Sequence, residues 1–232
     1  MNKIAIIVAG GSGSRMQSDL PKQFLPLGGQ PLIIHTAKAF IEAYHDIKII
    51  IVLPEAQLGY GASLFKEAPY YDQIQLVQGG NSRFASVQKG IAAIAETDKD
   101  CIVFVHDGVR CLVSPELIKR CFNKAIETGS AIPVIPATDS MRMLESNDPS
   151  KSQHIDRENI RLVQTPQTFK YALLKEGFKQ DYRSSFTDEA SVLEAMGKSV
   201  SLVEGDVENI KITRPIDLII AGAIFQKRVN KH

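Results

Sequence analysis

The sequence lacks an excess of charge of either sign. Lysine and arginine together number 27, and aspartate and glutamate together number 26, within 232 residues. A protein without a strong net field is not drawn as a whole to nucleic acid or to an anionic membrane surface. We therefore expect neither partner, and any anionic ligand must be bound by a local group of cations.

Long apolar runs and an even set of cysteines are also missing. No stretch approaches the roughly 18 apolar residues of a membrane span, and the apolar run Ile4 to Val8 is too short for a secretory signal. The three cysteines, Cys101, Cys111 and Cys121, lie within or beside apolar runs. This pattern favours reduced thiols and a cytoplasmic location over a disulfide framework.

Several familiar catalytic arrangements are absent from the sequence. No Ser-His-Asp or Cys-His constellation stands out, and no cluster of Cys and His has metal-ligand spacing. The first glycine-rich loop has no Lys-Ser or Lys-Thr at Walker spacing, and Met16 replaces the third glycine of the dinucleotide fingerprint. These absences favour a reaction whose nucleophile arrives with the substrate.

What the chain does contain is a series of short runs rich in isoleucine and valine. Unalternating runs of this kind predict strands that are covered on both faces, as in a parallel sheet. The runs are Ile4 to Val8, Lys48 to Leu53, Cys101 to Val105 and Ala131 to Ile135.

Helical patterns separate these runs. The clearest helix begins after Ser114 and ends at Gly129, Thr187 to Met196 repeats the same signals, and a last helix begins near Pro215. The alternation predicts an α/β fold with a doubly wound, mostly parallel, Rossmann-like sheet. We expect a single domain over residues 1–232.

Residues 139–163 interrupt this alternation. Two polar, extended stretches flank the turn-forming run Asn147-Asp148-Pro149-Ser150. The segment has too little apolar surface to belong to the core. We predict that it forms a protruding β-hairpin arm.

The loop after the first predicted strand is rich in glycine. It reads Ala9-Gly10-Gly11-Ser12-Gly13-Ser14-Arg15-Met16 and is followed by Pro21-Lys22-Gln23-Phe24. Ligands of open α/β sheets bind beyond the carboxyl ends of the strands, and glycine backbone with Arg15 and Lys22 suits an anion there. The alternative is a tight turn beside two solvated cations.

Two later loops follow predicted strands in the same way. Gly79-Gly80-Asn81-Ser82-Arg83, with Ser86, offers N–H groups and a hydroxyl to a base or ribose, unless Ser82 only caps the next helix. In His106-Asp107-Gly108-Val109-Arg110, Asp107 is a candidate Mg²⁺ ligand. An ion pair between Asp107 and Arg110 is the alternative, and His106 is assigned to structure.

Two segments near the end of the chain complete the set. Asn209-Ile210-Lys211-Ile212-Thr213 alternates polar and apolar residues, which predicts a strand with Lys211 and Thr213 on one face. Lys211 is either a site cation or simply solvated. Thr187-Asp188-Glu189 most simply caps its helix and complements the helix dipole.

Convergence of Arg15, Lys22, Arg110 and Lys211 at one sheet edge would suit a triphosphate. A phosphate monoester that attacks a nucleoside triphosphate is already ionised near neutral pH. It needs no general base, but it needs cations that stabilise the transition state.

These motifs, with Thr165-Pro166-Gln167 and Thr187-Asp188-Glu189-Ala190-Ser191, resemble the 2-C-methyl-D-erythritol 4-phosphate cytidylyltransferase family in order and over nearly the whole chain. The resemblance implies transfer of cytidylate from CTP to methylerythritol phosphate in non-mevalonate isoprenoid biosynthesis. It also implies release of pyrophosphate, Mg²⁺ as the cofactor and a homodimer. Departures are mild: Cys111 stands where the family usually has proline, and Ser140 and Arg142 stand where threonine and lysine are frequent.

The resemblance further implies a role for each matching residue. The triphosphate would be held by Gly11, Gly13, Arg15 and Lys22. Cytidine would be held by Ala9, Gly10, Gly80, Asn81 and Ser86. Lys22 would stabilise the transition state, Lys211 would bind the α-phosphate, and Asp107 would meet the metal or the ribose.

The acceptor side of the site is implied in the same way. Thr165 would bind the polyol phosphate, and Arg110 would meet the substrate, the ribose or magnesium. The hairpin would cross to a partner subunit, where Asp139, Ser140 and Arg157 would complete the neighbour's site, with the planar fork of Arg157 on the substrate phosphate.

Two other functions stay open. A cytidylyltransferase acting on ribitol 5-phosphate is similar in the glycine loop, the Pro-Lys-Gln-Phe run and the Asn-Ile-Lys segment, although Thr187 to Val192 is more similar to the methylerythritol enzyme. A nucleotide-binding sensor without catalysis is the other alternative. The joint presence of Arg15, Lys22 and Asp107 argues against it, because binding alone does not require all three.

Overall fold

The computed structural model describes residues 1–11, 14–16, 18–98, 100–146 and 148–230. Within these ranges the strands are β1 (Asn2–Val8), β2 (Pro26–Leu27), β3 (Gln30–Pro31), β4 (Lys48–Leu53), β5 (Ile74–Gln78), β6 (Cys101–Asp107), β7 (Ser130–Pro136), β8 (Met141–Glu145), β9 (Asp148–Ile155), β10 (Arg161–Val163), β11 (Gln167–Lys170) and β12 (Leu202–Glu204). The helices are α1 (Leu32–Ala43), α2 (Leu58–Phe65), α3 (Arg83–Ala92), α4 (Pro115–Thr128), α5 (Tyr171–Gly177), α6 (Glu189–Glu194) and α7 (Pro215–Val229). None of the helices in this part of the chain is long and apolar enough to cross a membrane.

The central sheet has the strand order β10-β7-β11-β6-β1-β4-β5, with β12 paired to β7. The strands β6, β1, β4 and β5 run parallel to one another, whereas β11 and β10 run antiparallel to their neighbours. A mostly parallel sheet with helices between its strands confirms the predicted α/β class.

Successive residues of β1 enter two separate cores, as the pleat of a strand requires. Ala5 and Ile7 pack with residues of α1, α2 and α4 on one face of the sheet. Ile4 and Ile6 pack with residues of α3, α5 and α6 on the other face. The sheet is therefore wound on both sides, and its central strands are hidden from water, which explains why their sequences do not alternate.

The helix signals in the sequence match the observed caps. The Ser114 hydroxyl accepts a hydrogen bond from the Leu117 amide at 3.3 Å, and Gly129 ends α4 with a φ of 89°. The helix expected over Thr187 to Met196 is shorter, because Asp188 is its N-cap and the described helix covers Glu189–Glu194.

The strand predicted over 209–213 is wrong, because these residues join no ladder. Ile212 is fully buried, and its amide donates to the Val109 carbonyl at 3.1 Å. The Thr213 amide and hydroxyl both bond the Asp217 carboxylate, at 2.8 and 2.9 Å, at the start of α7. The segment is therefore held by the helix cap and by the buried side chains of Ile212 and Asn209.

The hairpin is formed by β8 and β9, which pair with each other as a separate two-stranded sheet. Met143 and Leu144 on β8 are exposed. The predicted arm extended to residue 163, but β10 belongs to the central sheet, where Leu162 pairs with Ile135 of β7. Asn147, in the predicted turn, lies outside the described residues.

Candidate active site

Backbone hydrogen bonds gather the loops at one edge of the sheet. The Gly108 amide donates to the Val8 carbonyl at 2.9 Å, which joins the ends of β6 and β1. The Gly79 amide donates to the Leu53 carbonyl at 2.8 Å, which joins the ends of β5 and β4. The three glycine-containing loops therefore open onto a common cleft, as is usual for open α/β sheets.

The cleft has a cavity volume of about 250 Å³. Most of the predicted nucleotide-binding residues line it, together with two of the three predicted catalytic cations. They are Ala9, Gly10, Gly11, Lys22, Gly80, Asn81, Ser86, Asp107 and Lys211. Gly13 lies outside the described residues. The structure thus brings together residues that are distant in sequence, while their individual roles stay predictions.

Lys22 lies directly against the glycine loop. A Cβ atom added to Gly11 would be 3.0 Å from Lys22 Cε and 3.1 Å from its Nζ, so a side chain there would displace the ammonium group. Burial and the charge of Lys211 lower the pKa of Lys22; Asp107 opposes this shift, and Arg15 adds to it. Arg15 is exposed and does not line the cleft, but its charge contributes to the field at Lys22.

The opposite wall is formed by the start of α3. The Ser82 hydroxyl accepts a hydrogen bond from the Ala85 amide at 3.0 Å, so the helix-cap interpretation of Ser82 is confirmed. The buried Ser86 hydroxyl accepts from the Gly80 amide at 3.1 Å. A Cβ atom at Gly80 would be 2.5 Å from the Ala85 Cβ, so only glycine lets the loop lie this close to the helix.

Asp107 is the centre of charge in the cleft. Its Oδ2 is 2.9 Å from Lys211 Nζ and 3.7 Å from Arg110 Nε, and its Oδ1 is 3.4 Å from Arg83 Nε. Burial alone would raise the pKa of Asp107, but the charges of Arg83, Lys211 and Arg110 hold it well below the usual range. Asp107 is therefore ionised. It forms the ion pair with Arg110 and also lines the cleft.

A buried hydrogen-bonded chain fixes Asp107 from behind. The Asp107 amide donates to Thr165 Oγ1 at 3.1 Å, and that hydroxyl is 3.1 Å from His106 Nδ1. His106 Nε2 is 3.1 Å from the Arg110 carbonyl, which can only accept, so Nε2 carries the proton and Thr165 donates to Nδ1. Burial lowers the pKa of His106 to about 4, which keeps the ring neutral.

These hydrogen bonds bear on the sequence-based interpretations of His106 and Thr165. His106 acts in structure, as expected, because both ring nitrogens are occupied by interior partners. Thr165 is buried, and its hydroxyl both donates and accepts within the protein. Its visible role is to position Asp107, and its direct contact with a polyol phosphate stays a prediction.

Arg110 and Asn209 hold the segment that carries Lys211. Arg110 Nη1 donates to the Asn209 carbonyl at 2.8 Å and Nη2 donates to the Val163 carbonyl at 3.4 Å. Asn209 is fully buried, and its Nδ2 donates to the Thr165 carbonyl at 2.9 Å. Arg110 does not line the cleft, so it stabilises the loop around Lys211 in this chain, and its contact with substrate stays a prediction.

Sequence reasoning missed Arg83 and Glu189 as members of the site. Arg83 lines the cleft, and both of its terminal nitrogens bond the Glu189 carboxylate, which is 1% exposed. Glu189 was expected only to complement its helix dipole. The pairing spans more than a hundred residues of sequence, so no local spacing could reveal it.

The three residues assigned to the partner's site do not line the cleft of their own chain. Asp139 and Ser140 are exposed at the base of the hairpin, and Arg157 Nη1 donates to the Thr138 carbonyl at 2.6 Å. Their assignment to a neighbour's site stays a prediction.

Mg²⁺ binds oxygen ligands, and Asp107 contributes a carboxylate to the cleft. Within the described ranges no group of three or more His, Cys, Asp or Glu side chains could hold a metal. Mg²⁺ is nevertheless often bound by one or two carboxylates together with substrate phosphates and water. Asp107, ionised and facing the cleft, fits a metal that arrives with the nucleotide rather than a resident ion.

Comparison with known sequences decides the family. The sequence model of IspD, 2-C-methyl-D-erythritol 4-phosphate cytidylyltransferase, matches residues 3–227. The chain belongs to this family. It is therefore a nucleotidyltransferase, and the resemblance seen in the motifs is confirmed.

Relatives and solved structures of IspD proteins agree with this. The 2-C-methyl-D-erythritol 4-phosphate cytidylyltransferase of Bacteroides fragilis is 45% identical over 97% of the chain and 100% of that protein. The bifunctional enzyme IspD/IspF of Desulfotalea psychrophila is 40% identical over 98% of the chain, but the match covers 58% of that protein. The crystal structure of the 4-diphosphocytidyl-2C-methyl-D-erythritol synthase of Anaerococcus prevotii superposes on this chain with a TM-score of 0.82 at 25% identity. The match covers 97% of this chain and 96% of that one.

Proposed function

We propose that the chain transfers cytidylate from CTP to 2-C-methyl-D-erythritol 4-phosphate and releases pyrophosphate, as a step of non-mevalonate isoprenoid biosynthesis. The observation that carries this proposal is the convergence of Lys22, Arg83 and Lys211 on one glycine-walled cleft. The whole chain has nearly balanced charge, so this local concentration of cations indicates a polyanionic ligand. The names of the relatives support the identity of both substrates.

In this proposal the acceptor's phosphate oxygen attacks the α-phosphorus of CTP, and the bond to the pyrophosphate oxygen breaks. The nucleophile is already an anion, so the protein's task is to reduce repulsion and stabilise the charge that develops. Lys22, against the Gly11 backbone, holds the triphosphate with Arg15, and Lys211 lies at the α-phosphate. Cytidine lies between the Ala9-Gly10 backbone and the Gly80, Asn81 and Ser86 wall.

The proposed cofactor is a magnesium ion. When bound, it would neutralise part of the charge of the substrate phosphates. Asp107 is the protein group that would hold it, because its carboxylate is ionised and lies on the cleft surface. Lys211 Nζ lies 2.9 Å from the same carboxylate and also lines the cleft, where it would contact the α-phosphate.

We also propose that the protein is a homodimer in which the hairpin of β8 and β9 reaches the neighbour's cleft. Met143 and Leu144 on the hairpin, and Leu162 and Val163 on the edge strand β10, are exposed apolar side chains that a partner would cover. Asp139, Ser140 and Arg157, which do not line the cleft of their own chain, would then complete the neighbour's site. A cytoplasmic location is proposed on the buried free thiols of the three cysteines.

Mixing two inactive variants tests the shared site. Arg157→Ala and Lys22→Ala subunits, unfolded together and refolded as mixed dimers, are expected to regain about a quarter of wild-type turnover, because half of the dimers are mixed and each has one intact site. Each variant refolded alone is the control. Mixtures that stay as inactive as the controls, although mass spectrometry detects mixed dimers, would show that the two residues act in the same subunit.

A further inference from the structure

Arg83 is shared unequally between two carboxylates. Its Nη1 and Nη2 both bond the Glu189 carboxylate, with Nη2 to Oε2 at 3.1 Å. Its contacts with Asp107 are longer, since Nε and Nη2 are each 3.4 Å from Oδ1. The guanidinium fork is thus filled by Glu189, and Asp107 receives only weak contacts from it.

Glu189 is held in place by the structure around it. The Asp188 carboxylate caps α6 through the Ser191 amide at 2.9 Å. Gln167, at the start of β11, donates to Asp188 Oδ2 at 2.8 Å and accepts from the Ala190 amide at 2.9 Å. The residues on both sides of Glu189 are thus tied to the central sheet, which fixes the backbone that carries its carboxylate.

The charge of Arg83 is balanced by the carboxylates of Glu189 and Asp107. Burial disfavours the charged form of Arg83, but Glu189 and Asp107 raise its pKa above the ordinary range, so Arg83 stays a cation. If Glu189 were lost, Arg83 would turn to Asp107, the other carboxylate that lies within 4 Å of it among the described residues. That shift would draw Asp107 away from Lys211, which is now 2.9 Å from its other oxygen.

We propose that Glu189 is a positioning residue for Asp107 and that it acts through Arg83. By filling the guanidinium fork, Glu189 keeps Arg83 from closing on Asp107. The carboxylate of Asp107 then stays available to the nucleotide and its metal. The inference rests on the role proposed for Asp107 in nucleotide transfer.

Replacement of Glu189 by glutamine tests the proposal by separating kcat from KM. We expect kcat to fall about 30-fold in Glu189→Gln, because a displaced Asp107 mispositions the reacting groups. The KM for CTP should not rise, since the substitution removes a negative charge near a polyanion. Glu194→Gln, the same substitution on the exposed face of α6, is the matched control and should turn over like the wild type.

Binding without turnover gives an independent measurement. In calorimetric titrations with CTP alone, Glu189→Gln should bind at least as tightly as the wild type. Addition of Mg²⁺ should strengthen CTP binding several-fold less than it does in the wild type. Weaker metal-free binding by the variant, or an unchanged gain from Mg²⁺, would overturn the proposal even if the protein had no turnover with either polyol phosphate.

A double variant guards against loss of folding. Arg83→Met with Glu189→Met removes both charges of the pair, a change that proteins usually tolerate better than the loss of one partner. Its kcat should be several-fold higher than that of Glu189→Gln, because no guanidinium remains to close on Asp107. A kcat within twofold of the wild type in Glu189→Gln, or a double variant no faster than Glu189→Gln, would contradict the proposal. If wild type and Glu194→Gln are both inactive, the proposed function fails instead, and the titrations alone decide this inference.

Discussion

Replacement of Lys22 by alanine is expected to lower turnover about a thousandfold, because it removes a cation aimed at the charge that develops during transfer. Lys22 lies against the Gly11 backbone, so its ammonium group is already in place before the nucleotide binds. Burial and the charge of Lys211 lower its pKa, and this unfavourable position indicates a group held for function.

Steady-state pyrophosphate release and thermal unfolding together check this result. The variant should unfold at the wild-type temperature within a few degrees while its turnover collapses. Lys66→Ala, on an exposed lysine at the end of α2, is the control and should change neither quantity. Turnover within tenfold of the wild type would show that Lys22 does not stabilise the transition state.

Replacement of Asp107 by asparagine is expected to lower turnover about a hundredfold. The amide cannot neutralise the cations that face it, Arg83, Lys211 and Arg110, and it is a poorer magnesium ligand than a carboxylate. CTP binding without metal should be retained or strengthened, because the cleft becomes more positive. The loss should therefore lie in kcat and in the concentration of Mg²⁺ required.

A second buried aspartate provides the comparison for Asp107. Asp98 lies before β6, at the opposite end of that strand, and bonds Lys48 at 2.5 Å and Asn2 at 3.0 Å. Asp98→Asn should lower the free energy of unfolding, measured in urea, by about 1–3 kcal/mol and leave turnover unchanged. Equal losses of turnover in the two variants would mean that Asp107 acts only in stability.

The central fold was predictable because its signals are local. Runs such as Lys48 to Leu53 have the unalternating apolar pattern of a strand covered on both faces, and Ser114 with Gly129 bounds α4 by cap chemistry alone. The strand predicted at Lys211 failed because alternation of two isoleucines also fits a loop whose side chains are partly buried. In that segment the hydrogen bonds of the α7 cap set the backbone conformation.

The cleft was predictable in part for the same reason. Glycine loops and strand-end charges are visible locally, and the topology of a parallel sheet brings them to one edge. The contacts that set the chemistry are not local. Arg83 meets Glu189, and Arg110 meets the Asn209 carbonyl, across about a hundred residues each. Only the fold shows which cations are free to meet a ligand and which hold the loops.

The most direct test of the proposed activity is pyrophosphate release by the purified protein with CTP and Mg²⁺. Parallel reactions contain either 2-C-methyl-D-erythritol 4-phosphate or ribitol 5-phosphate, and Lys22→Ala protein serves as the control for contaminating activity. We expect rapid release with methylerythritol phosphate, little with ribitol phosphate and almost none from the variant. Release with ribitol phosphate alone, or with neither acceptor, would contradict the proposed activity.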